Sequence, residues 1–345
     1  MRKYVRITLC ILAIILMTVT PIFPASEKPV TFADFGWDLV RFHDRVAGFI
    51  IEEGYGRNVE YMFIEHIAGL VGLEKGELDI YMDLWPDNCR DWWEKASNSG
   101  AVVKLSVNYD GGSQGWYVPS YVIKGDPERG IEPLAPDLRS VHDLKNYWEI
   151  FRDPEVRDKG RFLNGPPSWM AYGVNVAKLK AYGLDEYFVS FPTGGTTVLI
   201  AEVISHYKKG KPVLFYFWDP TWLMGLYDFI LLEEPPFDPA LWNSESGYAC
   251  EWVKGTSYIV GNSAFTLREP EVAEFLRNYT TTLEQNRQAL LFSHDNDSDA
   301  ELTALWFLKN FRDQWIQWIP PEHEGVAERV DLALEKALRD KELEF

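Results

Sequence analysis

Trp85, Trp169 and Trp218 lie in three separate segments, each punctuated by proline and glycine residues. Each is predicted to lie at a strand end or in a turn, from which a side chain can project into a cleft. Several indole faces brought together can surround a bulky, poorly hydrated cation such as a quaternary ammonium group. A cationic small molecule is therefore the leading ligand hypothesis.

A trimethylammonium group has no N–H to donate, so only aromatic faces and carboxylates can hold it. Three acids, Asp83, Asp87 and Asp219, lie near these tryptophans in the sequence. Carboxylates beside the cation would favour a ligand without its own anion, such as choline. The ordinary alternative, which we favour, is that these acids form caps or turns or face solvent.

The composition limits the class of protein. The 345 residues are 46% hydrophobic, which is enough for a sizeable core. The net charge of −18 argues against a nucleic-acid partner and against an anionic membrane surface, since both require clustered lysine and arginine. The six histidines are scattered without metal-ligand spacing, so we expect neither a metal site nor a cofactor.

The first 26 residues have the pattern of an export signal. A basic start, Met1–Arg6, precedes an apolar run from Ile7 to about Val19 and then a stretch containing small residues. The alternative is a membrane anchor, but the run is shorter than the roughly 20 residues of a spanning helix. We therefore expect a periplasmic protein. Cys89 and Cys250 would remain after cleavage, either as one disulfide or as two free buried thiols.

Strands and helices alternate from Pro29 onward. This βαβαβ order predicts an open sheet with helices on both faces, in which ligands bind beyond the carboxyl ends of the strands. Trp37 and Trp85 lie at such positions. The predicted strands are Val30–Phe35, Asn58–Met62 and Asp79–Leu84, and the predicted helices are Asp38–Ile51 and Ile64–Leu73.

The remaining chain indicates a second unit and a return to the first. Leu105–Tyr109 and Trp116–Ile123 are interpreted as two strands linked by a loop, where the chain crosses between units. A return crossing is predicted near Val253–Val260. The last third is predicted to be helical, over Pro270–Tyr279, Leu283–Leu291, Ser298–Ile319 and Ala327–Glu342.

Several motifs occur in an order that resembles a known family. The most specific is YKKGKPV at 207–213, followed by FWDPTW at 217–222. Weaker pieces are Gly76–Asp79 before Asp83–Pro86, then Gln114–Pro119, then Gly165–Trp169. From about Val30 to the final helices, the chain resembles the substrate-binding proteins of glycine betaine, proline betaine and choline ABC importers.

The resemblance implies an α/β fold with two lobes and two crossovers, the type II periplasmic-binding-protein architecture. Each lobe would be a central sheet flanked by helices, with the ligand between the lobes. Lobe 1 would comprise residues 27–122 and 255–345, and lobe 2 residues 123–254. The protein would be a monomer that presents its ligand to an ABC transporter permease.

The resemblance also implies which aromatic residues bind the cation. Betaine-binding members surround the trimethylammonium group with three tryptophans, which by motif position are Trp85, Trp169 and Trp218. Choline-binding members use a tryptophan in the first strand-to-helix turn, matched by Trp37, and a tyrosine near Tyr117. This chain has both sets, so a mixed box is expected.

A betaine also carries a carboxylate. Family members hold it with backbone N–H groups after the second box tryptophan, which correspond to Met170 and Ala171, and with a histidine shortly after the first. This chain departs from the pattern because no histidine follows Trp85 closely. Asn88 stands near that place and can donate from its amide, as a neutral substitute.

The rival hypothesis from another class is an exported carbohydrate-active enzyme, with aromatic platforms for sugar and a pair of carboxylates for hydrolysis. The candidate pairs are Glu233 with Glu234, and Asp83 with Asp219. Adjacent glutamates point apart, nothing in the sequence sets the separation of the second pair, and no hydrolase motif is present. We therefore expect a binding protein and not an enzyme. Carnitine and related solutes with weakly hydrated cationic heads are further candidate ligands.

Overall fold

A computed structural model describes residues 28–343, so the predicted export signal lies outside the described residues. The predicted βαβαβ order at the start of the chain is confirmed, with boundaries shifted by one or two residues. The first helix buries Leu39, Phe42 and Val46 on one face, as its apolar spacing predicts, and continues into a π-helical turn, Ile50–Gly54. The elements are β1 (Val30–Asp34), α1 (Asp38–Phe49), β2 (Val59–Phe63), α2 (His66–Lys75) and β3 (Ile80–Leu84).

The next strand is one continuous element, so the prediction of two strands linked by a loop is wrong. Residues at the expected loop keep pairing, since Asp110 lies opposite Thr256 and Gly112 opposite Gly255. Register shifts absorb the extra residues, and Gly111 adopts the left-handed region that favours glycine. The elements are α3 (Arg90–Asn98), β4 (Val102–Pro119) and α4 (Ser120–Lys124).

A second α/β unit follows, again with strands and helices in alternation. Its strands β5 and β6 run parallel to each other, and β5 also runs parallel to β7. The elements are β5 (Gly160–Asn164), α5 (Met170–Ala181), β6 (Phe188–Pro192), α6 (Thr196–Lys208), β7 (Leu214–Asp219), α7 (Trp222–Leu226) and β8 (Phe229–Leu231).

The chain then returns to the first unit through a strand that overlaps the predicted return crossing. The last third is helical as predicted, but the helix expected over Ser298–Ile319 is interrupted after Asn310. The elements are β9 (Gly255–Asn262), α8 (Ser263–Arg268), α9 (Pro270–Asn278), α10 (Leu283–Asp295), α11 (Ala300–Asn310), α12 (Arg312–Trp315) and α13 (Val326–Asp340).

The strands follow the order β2-β1-β3-β9-β4-β7-β5-β6, and β8 pairs with β4. Strand β4 belongs to both units because it pairs with β9 up to Gly112 and with β7 from Ser113. The division into lobes stays a prediction. The ladders favour a boundary near Gly112, ahead of the expected one after residue 122, and a return just before Gly255.

Each half of the molecule has its own apolar core, which is the two-lobed arrangement expected from the resemblance. The core of the first half is built on β1, β3 and α1, and the cores of the second half on β5, β7 and α6. Cys89 lies in the first core and Cys250 in the second, and both are buried free thiols. No helix within residues 28–343 is long and apolar enough to cross a bilayer.

Candidate functional site

A cavity between the two halves is lined by four indole rings, those of Trp37, Trp85, Trp169 and Trp218. Trp37 directly precedes α1 and Trp85 directly follows β3, so both lie beyond the carboxyl ends of parallel strands. Trp169 directly precedes α5, and Trp218 lies near the end of β7. Each half of the molecule therefore contributes two indoles to the same cavity.

Three of these rings stand nearly at right angles to their neighbours. The rings of Trp169 and Trp218 are 5.3 Å apart with an interplanar angle of 77°, and those of Trp37 and Trp169 are 6.2 Å apart at 82°. Trp37 in turn stacks on Phe35, with ring centroids 5.0 Å apart. Adjacent perpendicular walls of this kind enclose a corner in which a rounded group meets several ring faces.

Trp85 is seated against two glycines that leave room for its ring. A Cβ atom added at Gly112 would lie 2.6 Å from the indole, and one added at Gly255 would lie 2.3 Å from it. These glycines lie opposite each other on β4 and β9. The Trp85 Nε1–H donates to the Tyr109 hydroxyl at 3.0 Å, which fixes the ring from its other edge.

Asp83 is buried behind the indoles, so the interpretation that it caps a helix or faces solvent is wrong. Its side chain accepts the Nε1–H of Trp37 at 3.0 Å and that of Trp85 at 3.1 Å. It also accepts the hydroxyls of Tyr109 at 2.9 Å and Ser257 at 2.7 Å. Burial raises the pKa of Asp83, and these four donors oppose the rise.

The other two acids considered in the sequence lie in ion pairs. Asp87 pairs with Arg90 at 2.7 Å within the same half of the molecule. Asp219 pairs with Arg287 at 2.5 Å, which joins the end of β7 to α10 in the opposite half. Both pairs are partly exposed, as expected for acids at turns.

The amide of Asn88 lies in the cavity and is held by a partner that sequence reasoning missed. Asn88 and Gln114 exchange two side-chain hydrogen bonds, of 3.3 Å and 2.8 Å. The Tyr216 hydroxyl donates to Gln114 Oε1 at 2.6 Å. Gln114 and Tyr216 both line the cavity. Side chains two positions apart on a strand lie on the same face of the sheet, so Tyr216 could have been predicted from Trp218 on β7.

His66 and Tyr81 complete the lining on the side of the first half. Their rings contact each other and that of Trp37, and the Tyr81 hydroxyl lies 3.4 Å from His66 Nε2. Burial lowers the pKa of His66 to about 4, so its imidazole is neutral at pH 7. Burial also raises the pKa of Tyr81 well above its ordinary value. Neither residue therefore adds a charge to the cavity at neutral pH.

Ala171 lines the cavity at the start of α5, whereas the Met170 side chain packs against the core of the first half. Both residues lie in the first turn of the helix, where N–H groups have no carbonyl partner inside the helix. Such a terminus suits an anion. The role of these two N–H groups in holding a carboxylate stays a prediction.

Tyr117 lies outside the cavity, contrary to its expected place in a mixed box. Successive side chains of a strand point to opposite faces of the sheet, and Gln114 on the same strand faces the cavity. Tyr117 therefore points to the other face, where it is buried in the core beside Phe215 with ring centroids 5.9 Å apart. Of the two choline-type aromatics, only Trp37 lines the cavity.

The two halves meet around the mouth of the cavity, so the structure is closed. Beyond the Asp219–Arg287 pair, the Trp222 Nε1–H donates to Asp38 at 3.2 Å and the Trp242 Nε1–H to the Asp87 carbonyl at 3.0 Å. The Ser168 hydroxyl donates to Glu65 at 2.5 Å. These contacts limit solvent access to the indoles, which strengthens electrostatic interactions inside.

The lining suits a cation with apolar substituents. The acidic residue of the lining is the buried Asp83, and the walls of the cavity are indoles whose faces attract cations. Within residues 28–343, no group of three or more His, Cys, Asp or Glu side chains could hold a metal ion.

Residues 28–310 match the family described as the substrate-binding domain of ABC-type glycine betaine transport systems. The chain belongs to this family. Its members are solute-binding proteins that act outside the cytoplasm.

Three similar proteins illustrate the range of the family. The chain is 23% identical to the trimethylamine N-oxide-binding protein of Pelagibacter ubique over 290 residues, covering 83% of this chain and 89% of that protein. The glycine betaine and L-proline-binding protein ProX of Borrelia burgdorferi has a TM-score of 0.71 at 18% identity, covering 87% of this chain and all of that one. A choline-binding protein in complex with choline also has a TM-score of 0.71, at 15% identity, covering 89% and 98%. The two structures share the two-lobed periplasmic-binding-protein fold.

Proposed function

We propose that this protein binds a small trimethylated onium compound, such as glycine betaine, proline betaine or choline, between its two lobes. Trp37, Trp85, Trp169 and Trp218 form the box around the methylated head. Binding is the whole of its chemistry, and the ligand leaves unchanged.

The convergence of four indoles from both halves on one cavity carries this proposal. A desolvated cation–π contact contributes about 2 kcal/mol. After the cost of association, three or four such faces with apolar burial leave roughly 6–8 kcal/mol, which is near a micromolar dissociation constant. No hydrogen bond to the head is needed, since a trimethylated nitrogen has no hydrogen to give.

Neutral donors at the site support a ligand that also carries an anionic or polar end. The Asn88 amide and the N–H groups of Met170 and Ala171 are neutral donors that could reach a carboxylate or hydroxyl. They can hold the carboxylate of a betaine without adding a positive charge that would repel the head. Because one similar protein is named for binding trimethylamine N-oxide, that compound is a further candidate ligand.

The ligand drives closure because its contacts come from both halves. A ligand that touched one half equally in the open and closed forms would shift no equilibrium. We propose that the closed, monomeric protein presents its ligand to the permease of an ABC importer. The predicted export signal over residues 1–26 supports a periplasmic location for this step.

The test is calorimetric titration of the purified protein against glycine betaine, choline, trimethylamine N-oxide and carnitine, with a panel of sugars as controls. We expect saturable binding of at least one onium compound and recovery of that ligand unaltered. Binding confined to sugars, or release of a hydrolysis product from a glycan, would contradict the proposal and favour a carbohydrate-active enzyme.

A further inference from the structure

Asp83 is a carboxyl group that lies behind the two walls of the box contributed by the first half of the molecule, although it presents little surface of its own. The residue is 4% exposed, and it lies directly behind the indoles of Trp37 and Trp85. Its hydrogen-bond partners are four neutral donors, and no ion pair joins it to a lysine, arginine or histidine within residues 28–343. A carboxylate buried in this way has no counter-ion within the described part of the protein.

The donors around Asp83 fit an ionised acceptor. One oxygen accepts the Trp37 N–H, and the other accepts the Trp85 N–H together with the hydroxyls of Tyr109 and Ser257. The oxygen that accepts three donors has no free lone pair, so a proton on it would compete with the Trp85 N–H, which can only donate. The hydrogen bonds therefore stabilise the carboxylate against the effect of burial.

An indole whose N–H donates to an anion is polarised, because hydrogen bonds shift electron density along the chain of groups that they join. The shift makes the ring face more negative, which is the property that attracts a cation. Trp37 and Trp85 share one carboxylate, so a single residue acts on two walls of the box. Where access of water is limited, a charge on Asp83 also acts on the ligand directly.

We propose that Asp83 is the counter-charge of the ligand's onium head and the residue that makes the box select a cation over a neutral group of the same shape. It is a positioning and specificity residue that works through Trp37 and Trp85. The inference rests on the proposed function, since it requires an onium ligand in this cavity.

The test compares pairs of ligands that differ only in charge at the head. Glycine betaine is paired with tert-butylacetate, and choline with its tert-butyl analogue, so that carbon replaces the nitrogen at nearly constant shape. Dissociation constants are measured for the wild-type protein, Asp83→Asn and Asp87→Asn. The Asp87→Asn control removes the same charge from a surface pair with Arg90 and leaves the indoles alone.

In the wild-type protein we expect the cationic member of a pair to bind more tightly than the neutral one. Asp83→Asn lowers this preference at least about tenfold, mostly through weaker binding of the cation. Asp87→Asn leaves the preference within about twofold of wild type. If Asp83→Asn weakened both members of a pair equally, Asp83 would serve only to hold the rings and the inference would be wrong. If the wild-type protein bound none of the onium compounds in the calorimetric panel, the proposed function itself would fail.

A second measurement needs no substitution of Asp83. In the proton–nitrogen NMR spectrum of the wild-type protein, the indole N–H resonances of Trp37 and Trp85 should lie downfield of that of Trp252. The buried Trp252 N–H has no hydrogen-bond partner among the described residues and is an internal reference. Equal shifts for all three would show that no anion accepts these N–H groups and would overturn the inference.

Discussion

Trp218 forms one wall of the cavity and stands nearly perpendicular to Trp169. Trp218→Ala removes one aromatic face and is expected to weaken onium binding at least about tenfold. The fold should persist because Trp218 is only partly buried at the edge of the core. Calorimetric titration measures the loss, and thermal unfolding checks the fold. The control is Trp148→Ala, which alters a partly buried tryptophan outside the cavity and should leave the affinity unchanged. Unchanged affinity in Trp218→Ala would rule out the box as assigned.

Asn88 distinguishes the two classes of ligand. If its amide contacts the carboxylate of a betaine, Asn88→Ala weakens glycine betaine more than choline, which has a hydroxyl in place of that anion. The substitution also frees Gln114, so some loss is expected for both ligands. Titration of the two ligands against the same variant gives the ratio, and equal losses would refute the carboxylate role.

Sequence reasoning found most of the cavity at the residue scale because tryptophans beside prolines and glycines at strand ends are visible in the chain. It raised Asp83 as a possible carboxylate beside the cation but favoured a cap, a turn or a solvent-facing position, because the partners that bury it are distant in the chain. The hydroxyls that bind Asp83 come from Tyr109, 26 positions later, and from Ser257, 174 positions later. Tyr117 was misplaced because a motif position gives proximity along the chain, whereas strand alternation decides which face a side chain occupies.

The Trp85 ring packs against the paired strands β4 and β9, and its closest approach to their backbone is at Gly255. Gly255→Ala places a Cβ where the indole ring now lies, and a ring held by Asp83 and Tyr109 has little freedom to move. We expect onium affinity to fall at least about fivefold, as expected for a displaced contact of roughly 1 kcal/mol or more.

The matched control is Gly173→Ala, within α5. A Cβ at Gly173 meets no atom within 4 Å, and alanine favours a helix, so affinity and stability should be kept or improved. Both variants are titrated with the same ligand and unfolded by heat. A Gly255→Ala protein with wild-type affinity would show that Trp85 does not need its present position.

At the scale of elements, periodicity predicted β1, α1, β2, α2 and β3 because buried strands and amphipathic helices have distinct spacings. It failed at β4, where Asp110–Gly112 has the composition of a loop. The pairing partner, β9, lies more than 140 residues away in the chain, and its ladder holds these residues in a bulged strand. Long-range pairing of this kind overrides local preference.

The stability of the whole molecule is expected to depend on His66. Burial lowers its pKa to about 4, against about 6.5 in an unfolded chain. Between these values the unfolded chain binds a proton that the folded protein does not, so the free energy of unfolding falls as the pH falls. From pH 7 to pH 5 this histidine alone should lower that free energy by about 2 kcal/mol.

Urea unfolding at the two pH values measures this effect in the wild-type protein and in His66→Gln. The variant should lose about 2 kcal/mol less than wild type on acidification. His142→Gln, which changes an exposed histidine outside the cavity, should behave as wild type does. Equal pH dependence in wild type and His66→Gln would mean that His66 is protonated in the folded protein.

At the scale of the whole molecule, the two-lobed fold followed from the resemblance carried by residues 207–222 and by the shorter motifs before them. The resemblance did not predict where the chain crosses from the first half to the second. Strand β4 belongs to both halves, and the amino-acid composition near Gly112 does not show that its pairing partner changes there from β9 to β7. The closed arrangement was also beyond the sequence, since it depends on pairs such as Asp219 with Arg287.

The most direct test of the onium box is a crystal structure of the protein with glycine betaine or choline, whichever binds more tightly. The account predicts the methylated nitrogen within about 6 Å of the ring centroids of Trp37, Trp85, Trp169 and Trp218, with ring faces turned toward it. A ligand seated elsewhere, or one whose charged head faces solvent while the four indoles pack against each other, would contradict it.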